Sequence, residues 1–407
     1  MTLIKCFTAS HIDNIAACLR LQPEKMILVG NDDHMEQAAE RYRAFLRQRK
    51  LSTSVSVFHV GSNKNFSALC AALRTLAGRE HDPVIDLTGG DETVILAIGA
   101  MVESLEPRAR QQIRVEEYDR KTGYVLDCLQ GKRFLPKHPV NINVEELISL
   151  HGGTLHPDAY QPPLDFTVDN LAQVWKQVAK NPTQWNQSIK LLGRFESQYK
   201  GESKSHIQLE LAKCNIPDLD LLLPELRKFL KKLQRCGILT DRSSDTELNY
   251  TYKSPMMRCC TQKAGNVLEL KTLLEARAMT EKGVPFFHDA RMSVSIDWDG
   301  EILNKHGVAE TRNEIDVVLM HGITPLFISC KNGGIKDEEL YKLHTVTRCF
   351  GGPYAGKMLV ATDLDLKNDN ANSSFSTRAW DMDILLVKEG ANLTSEQWQM
   401  YFKSALL

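Results

Sequence analysis

The residues best equipped for chemistry lie in one stretch near the C-terminus, NEIDVVLMHGITPLFISCKNG, residues 313–333. Two apolar runs flank a turn. A lone carboxylate, Asp316, interrupts the first, and a lone lysine, Lys331, ends the second. A buried, unpaired charge costs several kcal/mol unless it meets a partner or a metal. Asp316 and Lys331 therefore either form a buried ion pair or hold something between them.

A second stretch, VIDLTGGDETVILA, residues 84–97, runs from an apolar strand through Thr88, Gly89 and Gly90 straight into a helix. Glycines let a ligand approach the backbone, and a helix N-terminus offers N–H groups to an anion. Asp91 and Thr93 read equally well as caps of that helix. Two other strand ends are polar, Thr8-Ala9-Ser10-His11 and Asn31-Asp32-Asp33. In doubly wound sheets, ligands sit at such carboxyl ends.

The scaffold follows from the apolar pattern. Over the first 145 residues, strands such as TLIKCF, KMILVG and PVIDLTGG alternate with helices such as EQAAERYRAFLRQRK. Nearly all-apolar strands alternating with helices predict a parallel sheet covered on both faces. QQIRVEEYDRKTGYVLDCLQ breaks the rhythm as a hairpin turned at DRKTG, which predicts an antiparallel addition.

The Gly-, Pro- and His-rich run HGGTLHPDAYQPP marks a boundary. Beyond it, Leu226, Phe229, Leu230 and Leu233 recur at helical spacing, Gly237 stops that helix, and an alternating strand follows. This is the outline of a winged helix. Its basic face (Arg227, Lys228, Lys231, Lys232, Arg235) reads as a solvated face before it reads as a DNA contact. From about residue 258 the order becomes helix, three strands, helix, strand, helix, strand. The expected fold is multidomain α/β, divided at residues 1–150, 151–257 and 258–407.

Composition bounds the function. A chain of 407 residues exceeds one ordinary core, and a formal net charge of -1 makes any polyanion site local. The ten cysteines show no C-x-x-C pair. Cys6, Cys18, Cys70 and Cys330 fall in apolar runs, the usage of a reducing compartment. MTLIKCFTASH is not patterned as a signal peptide, and no apolar run reaches membrane-spanning length. The expectation is a cytoplasmic protein with no membrane partner.

The order helix, three strands, helix, strand, with Asp316 on strand two and Lys331 ending strand three, resembles the PD-(D/E)xK nuclease superfamily, the restriction-endonuclease-like fold. The resemblance implies Mg²⁺ or Mn²⁺ chemistry. A carboxylate-held cation polarises a phosphoryl group and makes the attacking water more acidic, and a lysine beside it offsets developing charge. Asp316 is then a metal ligand and Lys331 the catalytic lysine. Ser329 stands where many members place an acidic residue, which leaves one carboxylate fewer. Glu269 on the preceding helix supplies a second metal oxygen and the Cys330 carbonyl a third, with Glu314, two residues before Asp316, a lesser candidate. Trp298 reads as a core aromatic and His344 as a packing histidine. Arg348 and Lys336 are candidate phosphate contacts.

The first 145 residues lack G-x-G-x-x-G in TASHIDN, which argues against a dinucleotide. They resemble the CARF domain, a Rossmann-like sensor, through Thr8-Ala9-Ser10, the turn Asp86-Leu87-Thr88-Gly89-Gly90 and the trailing hairpin. The three parts together are similar to ancillary nucleases of type III CRISPR systems. That likeness implies a homodimer whose paired sensors bind a cyclic oligoadenylate, cyclic tetra-adenylate above all, at Thr8, Ser10, His11, Asn31, Thr88, Gly89, Gly90 and Asp91. It implies a nucleic-acid substrate and leaves RNA, single-stranded DNA and duplex DNA open. Two alternatives stand beside it. One is a messenger-controlled DNA-binding regulator with an inactive nuclease domain, which Ser329 favours. The other is a restriction-like enzyme that needs metal alone.

Overall fold

The computed structural model describes residues 1–60, 65–138, 140–157, 161–203, 205–298, 300, 312–362 and 369–406, with backbone alone for 369–373. The N-terminal unit runs β1 (Thr2–Cys6), α1 (His11–Leu21), β2 (Lys25–Gly30), α2 (Met35–Gln48), β3 (Ser54–His59), α3 (Phe66–Arg79), β4 (Pro83–Asp86), α4 (Glu92–Glu103), α5 (Pro107–Arg110), β5 (Arg114–Tyr118), β6 (Val125–Asp127) and β7 (Lys132–Phe134). Its seven strands lie in the order β3-β2-β1-β4-β5-β6-β7. The first five pair in parallel, while β6 and β7 are antiparallel. The expected hairpin is β5–β6. Asp119 accepts the N–H groups of Lys121 and Thr122 in its turn, and Gly123 takes φ 71°. Strands are added in opposite directions from β1 and β4, so the loops after these two neighbouring parallel strands diverge at the topological switch point.

A buried charge network ties β1, α1, β4 and β5 together. Lys5 and Arg20 both bind Asp86, and Arg20 also binds Glu116. Lys5 and Asp86 are fully buried.

The middle segment contains α6 (Val144–Leu150), β8 (Thr154–Leu155), α7 (Val168–Lys180), α8 (Pro182–Glu196), β9 (His206–Glu210), α9 (Leu219–Arg235), β10 (Leu239–Asp241), β11 (Glu247–Tyr252) and α10 (Pro255–Gln262). Leu226, Phe229, Leu230 and Leu233 are the buried face of α9, and Gly237 follows it at φ 76°. β10, β11 and β9 form a three-stranded antiparallel sheet.

The C-terminal unit runs α11 (Asn266–Ala278), β12 (Thr280–Glu281), β13 (Val284–Pro285), β14 (Asp289–Asp297), β15 (Arg312–His321), β16 (Thr324–Lys331), α12 (Glu338–Gly351), β17 (Gly356–Ala361), α13 (Asp369–Asp381), β18 (Leu385–Val387) and α14 (Ser395–Ser404). Its sheet has the order β18-β17-β16-β15-β14-β8. β14, β15 and β16 form an antiparallel meander, and β16, β17 and β18 are parallel.

Packing crosses both positions where the sequence suggests a boundary. β8 hydrogen-bonds to β14. One core joins Ile12 and Tyr42 of the first unit to Leu147 of α6 and to Ile296, Val318 and Phe350 of the last. A second joins α7, α8 and α9 to α11 and the opposite face of the C-terminal sheet. No helix among the described residues is long and apolar enough to cross a membrane.

Candidate functional site

The ladder between β15 and β16 runs from His321–Thr324 to Val317–Ile328 and ends there. Beyond it, Asp316 replaces a backbone partner. Its Oδ2 accepts the Cys330 N–H at 2.6 Å and the Ser329 hydroxyl at 3.1 Å. Lys331 Nζ stands 3.8 Å from the same oxygen and 2.9 Å from Glu339 Oε2 on α12. Asp316 and Lys331 are thus paired, but the nearer partner of the lysine is Glu339. Sequence reading missed Glu339 because KDEELYK looks like ordinary acidic residues opening a helix.

Glu269 approaches from α11, 7% exposed, and its Oε2 accepts the Ser293 hydroxyl at 3.2 Å. Burial pushes its carboxyl up to about 8, with Asp316 and then Glu314 adding to the rise. Burial also raises Asp316, against the pull of Lys331, the Cys330 N–H and Ser329. Burial alone would lower Lys331, but Asp316 and Glu339 outweigh it and leave its ammonium raised.

Two carboxyls raised chiefly by burial, with the Asp316 charge adding to the rise of Glu269, mark a place short of positive charge. That chemistry suits a hard divalent cation. Asp316 and Glu269 offer carboxylate oxygen, and the Cys330 carbonyl points to the same strand edge as its N–H, towards Asp316. Among the described residues no group of three or more His, Cys, Asp or Glu side chains is arranged to hold a metal.

The other sequence candidates are placed as follows. The Cys330 thiol lies 3.6 Å from Thr272 Oγ1 of α11, so only its backbone faces Asp316. Glu314 pairs with Lys263 at 3.3 Å on the rim and acts on Glu269 only through its charge. Trp298 packs edge-on against Phe350 at 5.3 Å, a core aromatic as expected. His344 Nδ1 sits 3.5 Å from Lys357 Nζ, away from Asp316. Lys336 is exposed. Arg348 lies at the other end of α12 from Lys331 and lines a cleft with Thr8, Ser10 and His11. Asn332, just past Lys331, binds Asn186 of α8 and the Ala264 carbonyl, a link to the middle segment that no local pattern announces.

In the N-terminal unit a cleft of about 800 Å³ opens at the switch point between β1 and β4. Thr8, Asn31, Gly89, Gly90 and Asp91 line it. A neighbouring cleft of about 410 Å³ takes in Ser10, His11 and the other side of Thr8 and Gly89.

Thr88 requires a correction. Its N–H is not offered to a ligand but donates to Asp86 Oδ1 at 3.1 Å, and its hydroxyl accepts the Tyr118 N–H at 2.9 Å. Thr88 builds the turn and lines neither cleft. The Gly90 N–H likewise closes the turn on the Leu87 carbonyl at 3.2 Å. A Cβ on Gly90 would stand 2.3 Å from Cys6 Cβ, so glycine is required by the close approach of β1. Asp91 caps α4 through the Thr93 and Val94 N–H groups. His11 Nδ1 lies 2.8 Å from the Tyr42 hydroxyl. Burial, then His151 and Arg41, push its imidazole down to about 3, so it is neutral.

No protein-family model matches the chain, and no curated protein matches its sequence. Solved structures do. Protein VC1899 from Vibrio cholerae superposes with a TM-score of 0.72 at 19% identity, covering 100% of this chain and 99% of that one. Can2 from Sulfobacillus thermosulfidooxidans, solved in complex with cyclic tetra-adenylate, superposes with a TM-score of 0.66 at 14% identity, again covering 100% and 99%. Across its whole length the chain has the fold of these two proteins.

Proposed function

We propose that this chain is a metal-dependent nuclease switched on by a cyclic oligoadenylate, cyclic tetra-adenylate first, in antiviral defence of the type III CRISPR kind. The observation that carries the reading is the meeting of Asp316, Lys331 and Glu269 where β15 and β16 part, in a chain that also opens a cleft at the switch point of a doubly wound sheet. The complex of Can2 with cyclic tetra-adenylate supports the choice of ligand.

Asp316 and Glu269, with the Cys330 carbonyl, would hold Mg²⁺ or Mn²⁺. When bound, the cation supplies Lewis-acid polarisation of the phosphoryl group and a more acidic water. Ser329 and the Cys330 N–H both bind Asp316 Oδ2, which fixes the carboxylate and leaves Oδ1 for a ligand. Lys331, held charged, offsets negative charge as it grows on the phosphate. In the sensor, Thr8, Asn31 and Gly89, with Ser10 and His11 in the adjoining smaller cleft, would receive the messenger. A two-fold cyclic ligand suits an isologous homodimer with one pocket on its axis.

The test is cleavage of labelled RNA, single-stranded DNA and plasmid with Mn²⁺, with and without cyclic tetra-adenylate. Cleavage that needs the messenger and is lost in Asp316→Ala and Lys331→Ala supports the reading and identifies the substrate. Ser329 favours a second reading, a messenger-controlled DNA-binding regulator using the exposed Lys228, Lys231 and Arg235 of α9. Tight messenger binding with DNA protected and nothing cut would establish that one.

A further inference from the structure

One helix touches both sites. α12 begins beside Lys331, where Glu339 Oε2 lies 2.9 Å from Nζ. Arg348 lies in its last turn, and the segment after it, Gly352 to Tyr354, lines the smaller cleft together with Arg348, Thr8 and Ser10. Its 14 residues make a rod about 21 Å long. Leu340, Leu343, Val346 and Phe350 bury that rod in the core shared with α1 and α6. The turn beyond it is tight, since a Cβ on Gly351 would meet Ala355 Cβ at 2.4 Å.

The C-terminal turn is also gripped by the sensor. The Arg120 guanidinium lies 4.7 Å from the centroid of the Tyr354 ring. The same Arg120 donates to Ser10 Oγ at 3.0 Å and pairs with Asp13. Contacts therefore run without a break from Ser10 through Arg120 and Tyr354 to α12, and from Glu339 to Lys331.

We propose that Glu339 is a positioning residue for Lys331, and that α12 is the rod through which occupancy of the Ser10–Tyr354 cleft sets that position. The proposal rests on the nuclease reading above and deepens it. Close-packed elements move as bodies between discrete arrangements rather than bending. Displacement at Tyr354 therefore carries the Glu339 carboxylate with it. Lys331 follows its nearer partner, which changes its placement against Asp316, 3.8 Å away. Glu339 acts through the lysine and not on the substrate.

Hydrogen exchange read by mass spectrometry on the intact chain tests the rod without any need for cleavage. The perturbing variant is Tyr354→Ala, at a residue 57% exposed. Exchange at residues 336–342, the far end of α12, is expected to change about threefold or more in this variant, and again when cyclic tetra-adenylate is added to the wild type. A change confined to residues 350–356 overturns the proposal.

Cleavage then isolates Glu339. Glu339→Gln is expected to lower kcat about tenfold while KM and messenger affinity stay within about twofold, and Glu339→Asp to recover part of the loss. An unchanged kcat overturns the role. The Tyr354→Ala/Glu339→Gln double variant is expected to be no slower than its slower parent. Losses that multiply as independent effects overturn the rod. A wild type that cuts nothing, while exchange still changes at residues 336–342, refutes the nuclease reading and supports the rod.

Discussion

Ser293 donates its hydroxyl to Glu269 Oε2 at 3.2 Å from a backbone held at φ 49°, in the middle of β14. The register pairs Met292 with Val317 and Val294 with Ile315, so this residue sits opposite Asp316. A left-handed serine inside a strand is strained by about 1–2 kcal/mol and persists where surroundings impose it. Here the bend aims a hydroxyl at a carboxylate that burial disfavours. Ser293→Ala keeps the strain and loses the hydrogen bond, whereas Ser293→Gly loses the hydrogen bond but relieves the strain. Thermal unfolding should therefore rank the glycine variant about 1 kcal/mol above the alanine variant. Calorimetric Mn²⁺ titration should show weakened binding in both. A glycine variant less stable than the alanine variant would remove strain from the account.

Asp316→Asn separates a catalytic carboxylate from a structural ion pair. Asparagine can still accept the Cys330 N–H, and Lys331 keeps Glu339, its nearer partner. The substitution also removes a charge that raises Glu269. Stability is expected to hold or to rise by up to about 1 kcal/mol, while Mn²⁺ binding is lost and cleavage falls at least about 100-fold. A fall in stability of about 3 kcal/mol would mark the pair as structural instead.

The Gly90 turn makes a prediction that can be reversed by a second change. A Cβ at position 90 would overlap Cys6 Cβ at 2.3 Å, and both atoms belong to close-packed backbone segments. Gly90→Ala should lower stability by about 1–3 kcal/mol and weaken cyclic tetra-adenylate binding, because the turn that carries Gly89 must shift. Cys6→Gly in the same chain opens the space and should restore messenger affinity in part, read by calorimetry. Failure of the second change to restore any binding would mean that the overlap is not the cause.

Much of the scaffold could be read from local pattern. Apolar runs of strand length between amphipathic helices identify β1 to β4, and the lone charges Asp316 and Lys331 stand out because they break such runs. What stayed hidden depends on partners distant in sequence. Glu339 looks like any helix-opening acid until β16 brings Lys331 to it. Lys5 pairs with Asp86, 81 residues away, and no periodicity announces that a strand lysine will be neutralised there. Thr88 has the right residue type for a ligand contact, but Tyr118 on β5 claims its hydroxyl. β8 contributes two residues to a sheet whose other strands begin at Asp289, too short a run to carry a pattern. α14, with Trp398 and Phe402 buried, follows the last strand that sequence reading identified.

Two neutral histidines lining the smaller cleft give the fold an acid sensitivity. Burial pushes His11 down to about 3, helped by His151 and Arg41, and pushes His151 down to about 4, against its hydrogen bond to the Leu147 carbonyl. In the unfolded chain both take up protons near the ordinary value of 6.5. Between about 6.5 and about 4 the unfolded state thus binds more protons, and stability falls as pH falls, by at most about 1.4 kcal/mol per pH unit for each histidine. Glu269 acts in the opposite sense. Its folded carboxyl keeps a proton up to about 8, so acid favours the fold through that group. Urea unfolding of the wild type and of His11→Gln at about pH 7 and about pH 5 isolates the histidine share, since Glu269 is common to both proteins. The glutamine can still bond the Tyr42 hydroxyl, and it cannot be charged. Its loss of stability between the two pH values should be smaller than that of the wild type. Equal losses would mean that His11 is protonated in the folded protein, and that burial, His151 and Arg41 do not hold it neutral.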